Sequence, residues 1–149
     1  MSGMLERSPS LTPLFLATLI AGAGCTRSLS VEEFQQRYCE RPPGAGSVLC
    51  TPPKGEVELI GTLGASLGCT KMACPESDPC CNECTGAPML RADEPGSGIS
   101  LEVPGVSCHT VGCDVFCNGL EPGKRYRVRG SFASKWPLMT VSRIERIGD

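Results

Sequence analysis

The chain has 149 residues, with 14 basic and 16 acidic side chains, a single histidine and a net charge of −2. Aromatic residues make up only 5%, while Gly and Pro number 18 and 13 and cysteine 11. This composition excludes a large self-sufficient hydrophobic core, and small exported domains of this kind are held together by disulfides.

The first segment is an export signal by pattern. Met1–Pro13 is polar, Leu14–Ile20 is a compact apolar run, and Ala21-Gly22-Ala23-Gly24-Cys25 follows. The run is too short to cross a bilayer, which takes about 20 apolar residues. A short apolar region ending in small residues predicts a cleaved signal peptide over residues 1–24. Ala23-Gly24-Cys25 resembles the end of the lipobox of bacterial lipoproteins, with Gly22 where a leucine is usual. The resemblance implies that Cys25 becomes the acylated first residue of the mature protein. It places the chain in the bacterial cell envelope, lipid-anchored to the outer membrane or to a periplasmic face. Two or more acyl chains anchor stably where one is marginal. Ala21-x-Ala23 also fits ordinary signal peptidase, which gives the alternative of a secreted soluble protein.

Residues 25–53 are expected to form a lipidated tether with a short helix. Ser30-Val31-Glu32-Glu33 has the spacing of a capping box, in which the serine oxygen and the third-position glutamate satisfy backbone donors reciprocally. Phe34 and Tyr38, four apart, share one face of a helix over Val31–Cys39. Arg41-Pro42-Pro43-Gly44 stops it. Cys39 and Cys50 bracket a Gly/Pro loop that a bridge between them would close, and Thr51-Pro52-Pro53 is a stiff hinge.

From residue 54 the pattern changes to strands. Glu56–Leu63 alternates, with Val57, Leu59 and Gly61 opposite Glu58 and Ile60. Ala87–Ala92 is a short second strand, and Ile99–Val103 alternates with Ile99, Leu101 and Val103 inward. In Arg125–Ala133, Tyr126, Val128 and Gly130 face one way and Arg125, Arg127 and Arg129 the other. Leu138–Ile147 loses phase, which predicts a bulge. The layout predicts a mainly β domain over residues 54–149. It resembles the OB-fold, a partly open five-stranded Greek-key barrel, here expected as a small antiparallel barrel with long disulfide-stapled loops. The helix usual between the third and fourth strands of that fold falls in Pro104–Gly123, which is Gly- and Cys-rich instead. A cysteine-stapled barrel of this kind is also similar in architecture to netrin-type and metalloproteinase-inhibitor domains.

Cys69, Cys74, Cys80, Cys81 and Cys84 fall between the first and second strands, and Cys108, Cys113 and Cys117 between the third and fourth. With Cys39 and Cys50 they make an even set of ten, expected as five bridges whose connectivity the sequence leaves open. Cys80 and Cys81, being adjacent, take separate partners. Two chemical readings compete with the structural one. Cys81-Asn82-Glu83-Cys84 has the C-x-x-C spacing of thiol redox sites. Cys108-His109 carries the thiolate and imidazole that suit zinc. An oxidising compartment and an even cysteine count argue against free thiolates, so no metal and no cofactor are expected.

No H-E-x-x-H or C-x-x-C-H is present, His109 is the only histidine, and Asp93-Glu94 precedes Pro95-Gly96 as turn residues. No catalytic residue is therefore assigned. The expected function is a non-catalytic binding or structural module, with a membrane contact through the lipid and a protein or glycan partner. The alternative is a thiol-redox or metal-binding accessory factor. Nucleic acid is a poor partner, because single-strand binders stack bases on aromatic platforms in a basic groove and few aromatics are available. Charge is uneven: Lys54–Leu120 has three basic and nine acidic residues, Glu121–Asp149 seven basic and three acidic. Arg125, Arg127 and Arg129, extended by Lys124 and Lys135, form a candidate docking strip for an anionic surface. The plainer reading is that they keep an edge strand from pairing with other chains.

Overall fold

The computed structural model describes residues 27–44, 48–92, 98–132 and 136–148. The signal segment, Cys25, the Asp93-Glu94 turn and Lys135 lie outside the described residues. The chain runs β1 (Leu29–Ser30), α1 (Val31–Tyr38), β2 (Cys39–Glu40), β3 (Leu49–Cys50), β4 (Glu56–Cys69), β5 (Cys84–Arg91), β6 (Gly98–Glu102), β7 (Cys108–Val111), β8 (Asp114–Cys117), β9 (Arg125–Phe132) and β10 (Leu138–Arg146). Among the described residues it is mainly β with one short helix, as the alternating segments predict.

The expectation of five antiparallel strands needs correction. The principal sheet has eight strands among the described residues, in the order β1-β4-β9-β10-β6-β5-β7-β8. It is mixed, because β1 runs parallel to β4 and β6 parallel to β10. Alternation marks a strand but not its partner or direction, and two- or four-residue strands are too short to alternate visibly. The long β4 serves two neighbours. Its first half, Glu56–Thr62, pairs with β9, and its second half, Thr62–Cys69, pairs with β5. The pairings β4-β9-β10-β6-β5-β4 thus return on themselves.

The core lies inside that ring. Leu59, Leu63, Leu90, Ile99, Leu101, Val128 and Met139 are at most 1% exposed. Each such side chain contributes about 1.5–3 kcal/mol when fully buried. The predicted inward face of β9 holds, with Tyr126 and Val128 buried. The register of β10 shifts between Val141 and Arg143, which is the predicted bulge. Gly86 has a steric reason: a Cβ there would lie 1.9 Å from the Ser66 carbonyl oxygen, so the β4–β5 ladder closes only over glycine.

Part of the segment expected as a tether over residues 25–53 packs into the core. Leu29, Val31 and Phe34 belong to the core cluster. The capping box forms as predicted, Glu33 N–H donating to Ser30 Oγ at 3.1 Å and Ser30 N–H to Glu33 Oε2 at 2.9 Å. That cap holds α1 so that Phe34 stacks on Phe132 and Trp136, with ring centroids 5.1 and 5.9 Å away, and lies tilted against Tyr38 at 4.9 Å. The apolar face of the helix is satisfied only against the sheet, so the segment from Leu29 onward is part of the folded body.

Candidate functional site: the basic strip and the disulfide-stapled hairpin

Arg125, Arg127 and Arg129 emerge on one face of β9, since Tyr126, Val128 and Gly130 turn inward. Their surroundings differ from either sequence reading. β9 is not an edge strand: it lies between β4 and β10. The neighbouring strands also bring carboxylates to the strip. Arg129 Nη2 donates to Glu58 Oε2 at 3.0 Å, and Arg127 lies 3.5 Å from both Glu58 and Glu145. At that distance Arg127 makes an ionic contact rather than a hydrogen bond, and its Nε is buried without a hydrogen-bond partner. Glu58 also accepts from the Ser28 hydroxyl. That hydroxyl is the largest influence holding the Glu58 carboxyl below the usual carboxylate range. Arg129 and Arg127 add to it while burial opposes. Arg125 makes no ion pair among the described residues. It borders an open cleft of about 240 Å³ with Ser30, Glu32, Ile60, Thr62 and Arg91. Register explains why the strip is half neutralised: Glu58 faces Arg129 and Glu145 faces Arg127 across the ladders. The sequence contained both carboxylates but not the register.

Cys39 pairs with Cys50 on the separate β2–β3 ladder, and at the Cys69 end of β4 the other cysteines pair as Cys69–Cys84, Cys74–Cys81, Cys80–Cys113 and Cys108–Cys117. Cys80 and Cys81 do take separate partners. Three bridges join residues directly opposite across a ladder: β2–β3, β4–β5 and β7–β8. Cys81 and Cys84 of the C-x-x-C motif are bonded to Cys74 and Cys69, not to each other. Cys108, beside His109, is bonded to Cys117.

The loop between β4 and β5 is organised by Asn82. Its Oδ1 accepts from Met72 N–H at 2.7 Å, and its Nδ2 donates to Met72 O at 3.2 Å. Cys80–Cys113 fastens this loop to the β7–β8 hairpin, and Cys84 N–H donates to Thr110 Oγ1 at 3.1 Å. The hairpin turns at Gly112-Cys113, with Gly112 at φ +59°. Glycine first in a two-residue loop is the signature of a turn whose twist matches the strands. That Val111-Gly112-Cys113-Asp114 signal stands where the sequence resemblance placed a helix. Cys108, Thr110, Val115 and Cys117 turn toward the sheet. His109, Val111, Asp114 and Phe116 occupy the outer face, with the His109 and Phe116 rings 6.1 Å apart. Val111 is 60% and Phe116 48% exposed, and Met72 on the adjoining loop is 55% exposed.

Neither protein-family models, curated protein sequences nor solved structures give a match to this chain.

Proposed function

We propose that the protein is a non-catalytic binding module of the bacterial cell envelope, anchored by lipid at Cys25 and built on an OB-like barrel. The observation that carries this reading is cysteine usage: five bridges account for every cysteine except Cys25. Bridges in that number belong to an oxidising compartment outside the cytoplasm. They leave one thiol, at the end of an apolar export segment, for modification. The barrel reading draws support from the ring of pairings. Taken in chain order, β4, β5, β6, β9 and β10 pair first-to-second, second-to-third, third-to-fifth, fifth-to-fourth and fourth-to-first. That is the ring order of OB barrels, with β1 and the β7–β8 hairpin as additions. A binding role fits a stapled surface, because loops already ordered by bridges lose little entropy when a partner docks.

The test is expression of the full chain in a bacterium that processes lipoproteins. The native chain should fractionate with membranes, with the mass of a diacylglyceryl and acyl adduct on Cys25. Cys25→Ser should lose the adduct and remain unprocessed or leave the membrane fraction. Unchanged membrane association and mass in Cys25→Ser sinks the proposal.

A further inference from the structure

We infer that the outer face of the β7–β8 hairpin is a membrane-distal docking surface for an extended, basic segment of a partner protein. The orientation rests on the anchoring reading above; the surface rests on the structure alone. β1 runs parallel to β4 with Leu29 opposite Leu59, so the chain before Leu29 leaves toward the Glu56 end of the long strand. Ser28 is fastened there by its bond to Glu58. Cys25 stands four residues before Leu29, a reach of at most about 14 Å. The lipid is therefore held close to that end, with no long linker.

The hairpin lies at the other end. Thr85 pairs with Gly68 on one side and with His109 on the other, and Gly68 is nine residues beyond Leu59 along β4. A straight strand of that length spans about 30 Å. An anchor at one end places the hairpin that carries His109, Val111 and Phe116 at the far end of β4 from the lipid.

Three features define the occupant. Val111 and Phe116 are large, exposed and held on a rigid, doubly bridged hairpin. They offer apolar anchoring without an ordering cost. β8 is the last strand of the sheet; Cys117 at its end is already bridged to Leu120, which leaves the edge along Asp114–Phe116 for an extended segment to add to. Finally, the two stapled segments, Cys69–Cys84 and Cys108–Cys117, contain Glu76, Asp78, Glu83 and Asp114 against Lys71 alone, and all five are exposed. Acidic surroundings select a basic partner and raise its rate of encounter.

The probe is a peptide of alternating lysine and valine, with alternating glutamate and valine as control. It is added to the acylated full-length protein in phosphatidylcholine liposomes and followed by hydrogen exchange and fluorescence anisotropy. The lysine peptide should slow exchange in residues 108–117 and leave β9 and β10 unchanged. Its affinity should fall several-fold between 0.1 and 0.5 M salt. Val111→Ser with Phe116→Ser should weaken it at least tenfold, and Asp114→Lys should narrow the preference for the lysine peptide over the glutamate peptide. Both variants alter exposed side chains, and unchanged exchange elsewhere verifies that they fold. Equal binding of both peptides, protection on β9 instead, or indifference to these substitutions overturns the surface. Protection of the hairpin that rises with protein concentration without peptide means a second copy is the occupant, and also overturns the proposal. Protection by liposomes alone overturns the orientation. Failure of the native protein to float with liposomes refutes the anchor, and with it the orientation, while the peptide arm decides the surface independently.

Discussion

Glu58 joins three parts of the chain: Ser28 just before β1, its own strand β4, and Arg127 and Arg129 on β9. Its side chain is 12% exposed, so these contacts are better shielded than ordinary surface ion pairs, which contribute about 0–1 kcal/mol. A hydrogen bond to a charged group contributes about 1.5–3 kcal/mol. Glu58→Gln should therefore lower the unfolding free energy at pH 7 by about 1–2 kcal/mol. The sign with pH follows from the lowered carboxyl. The folded state holds its proton less tightly than the unfolded chain. The stabilisation is thus fully present above the unfolded value and is lost as pH falls through the folded one. Thermal unfolding of the two proteins should differ most at neutral pH and converge in acid. A gap that is constant from pH 7 to pH 3 refutes the ionic account and leaves only packing.

At the scale of elements, the bridges divide by what they constrain. Cys39–Cys50, Cys69–Cys84 and Cys108–Cys117 reinforce ladders that hydrogen bonds already close. Cys80–Cys113 is different: it joins two loops 33 residues apart in sequence, and none of the other four bridges provides a shorter path between them. In the chain-entropy picture a loop of that length corresponds to about 3–4 kcal/mol. Cys80→Ser with Cys113→Ser should lower the denaturation midpoint accordingly and speed exchange in residues 70–83 and 108–117. The core strands β4, β9 and β10 should keep their protection below the global transition. Uniform loss of protection across the sheet instead makes the bridge part of the core's own stability. Helix α1 combines both devices: Phe34 packs against Phe132 and Trp136, and the C-cap Cys39 is bridged to Cys50.

For the whole molecule, the balance between a modest core and five bridges sets what unfolds it. The core cluster is a thin filling of mostly aliphatic residues, with Phe34 and Tyr126, from six strands and one helix. Removing native bridges from a small exported domain typically costs about 2–5 kcal/mol each, against a total stability of about 5–15 kcal/mol. A reductant should therefore unfold residues 27–148 at moderate temperature, and EDTA should leave the melting temperature unchanged. Circular dichroism with and without each reagent decides it. Melting by EDTA with resistance to reductant makes the cysteines metal ligands and overturns the disulfide account.

The amino-acid sequence by itself determined the local features. The capping box follows from Ser30 and Glu33 three apart, and the inward face of β9 from strict alternation of Tyr126 and Val128 with arginines. The bulge in β10 shows as a lost phase, and the separation of Cys80 from Cys81 follows from bond geometry. All of these depend on residues within one or two turns of each other. Tertiary structure alone decided which elements meet. Strand partners, the parallel pairs, the bridges between loops and the carboxylates beside Arg127 and Arg129 depend on register between separate segments, 18 residues apart for Glu145 and Arg127 and 71 for Glu58 and Arg129. Alternation carries no information about that register. The hairpin of β7 and β8 falls between the two cases. The sequence showed it only as a Gly- and Cys-rich stretch, because four-residue strands alternate too briefly to announce themselves, and only their pairing with β5 made them part of the sheet.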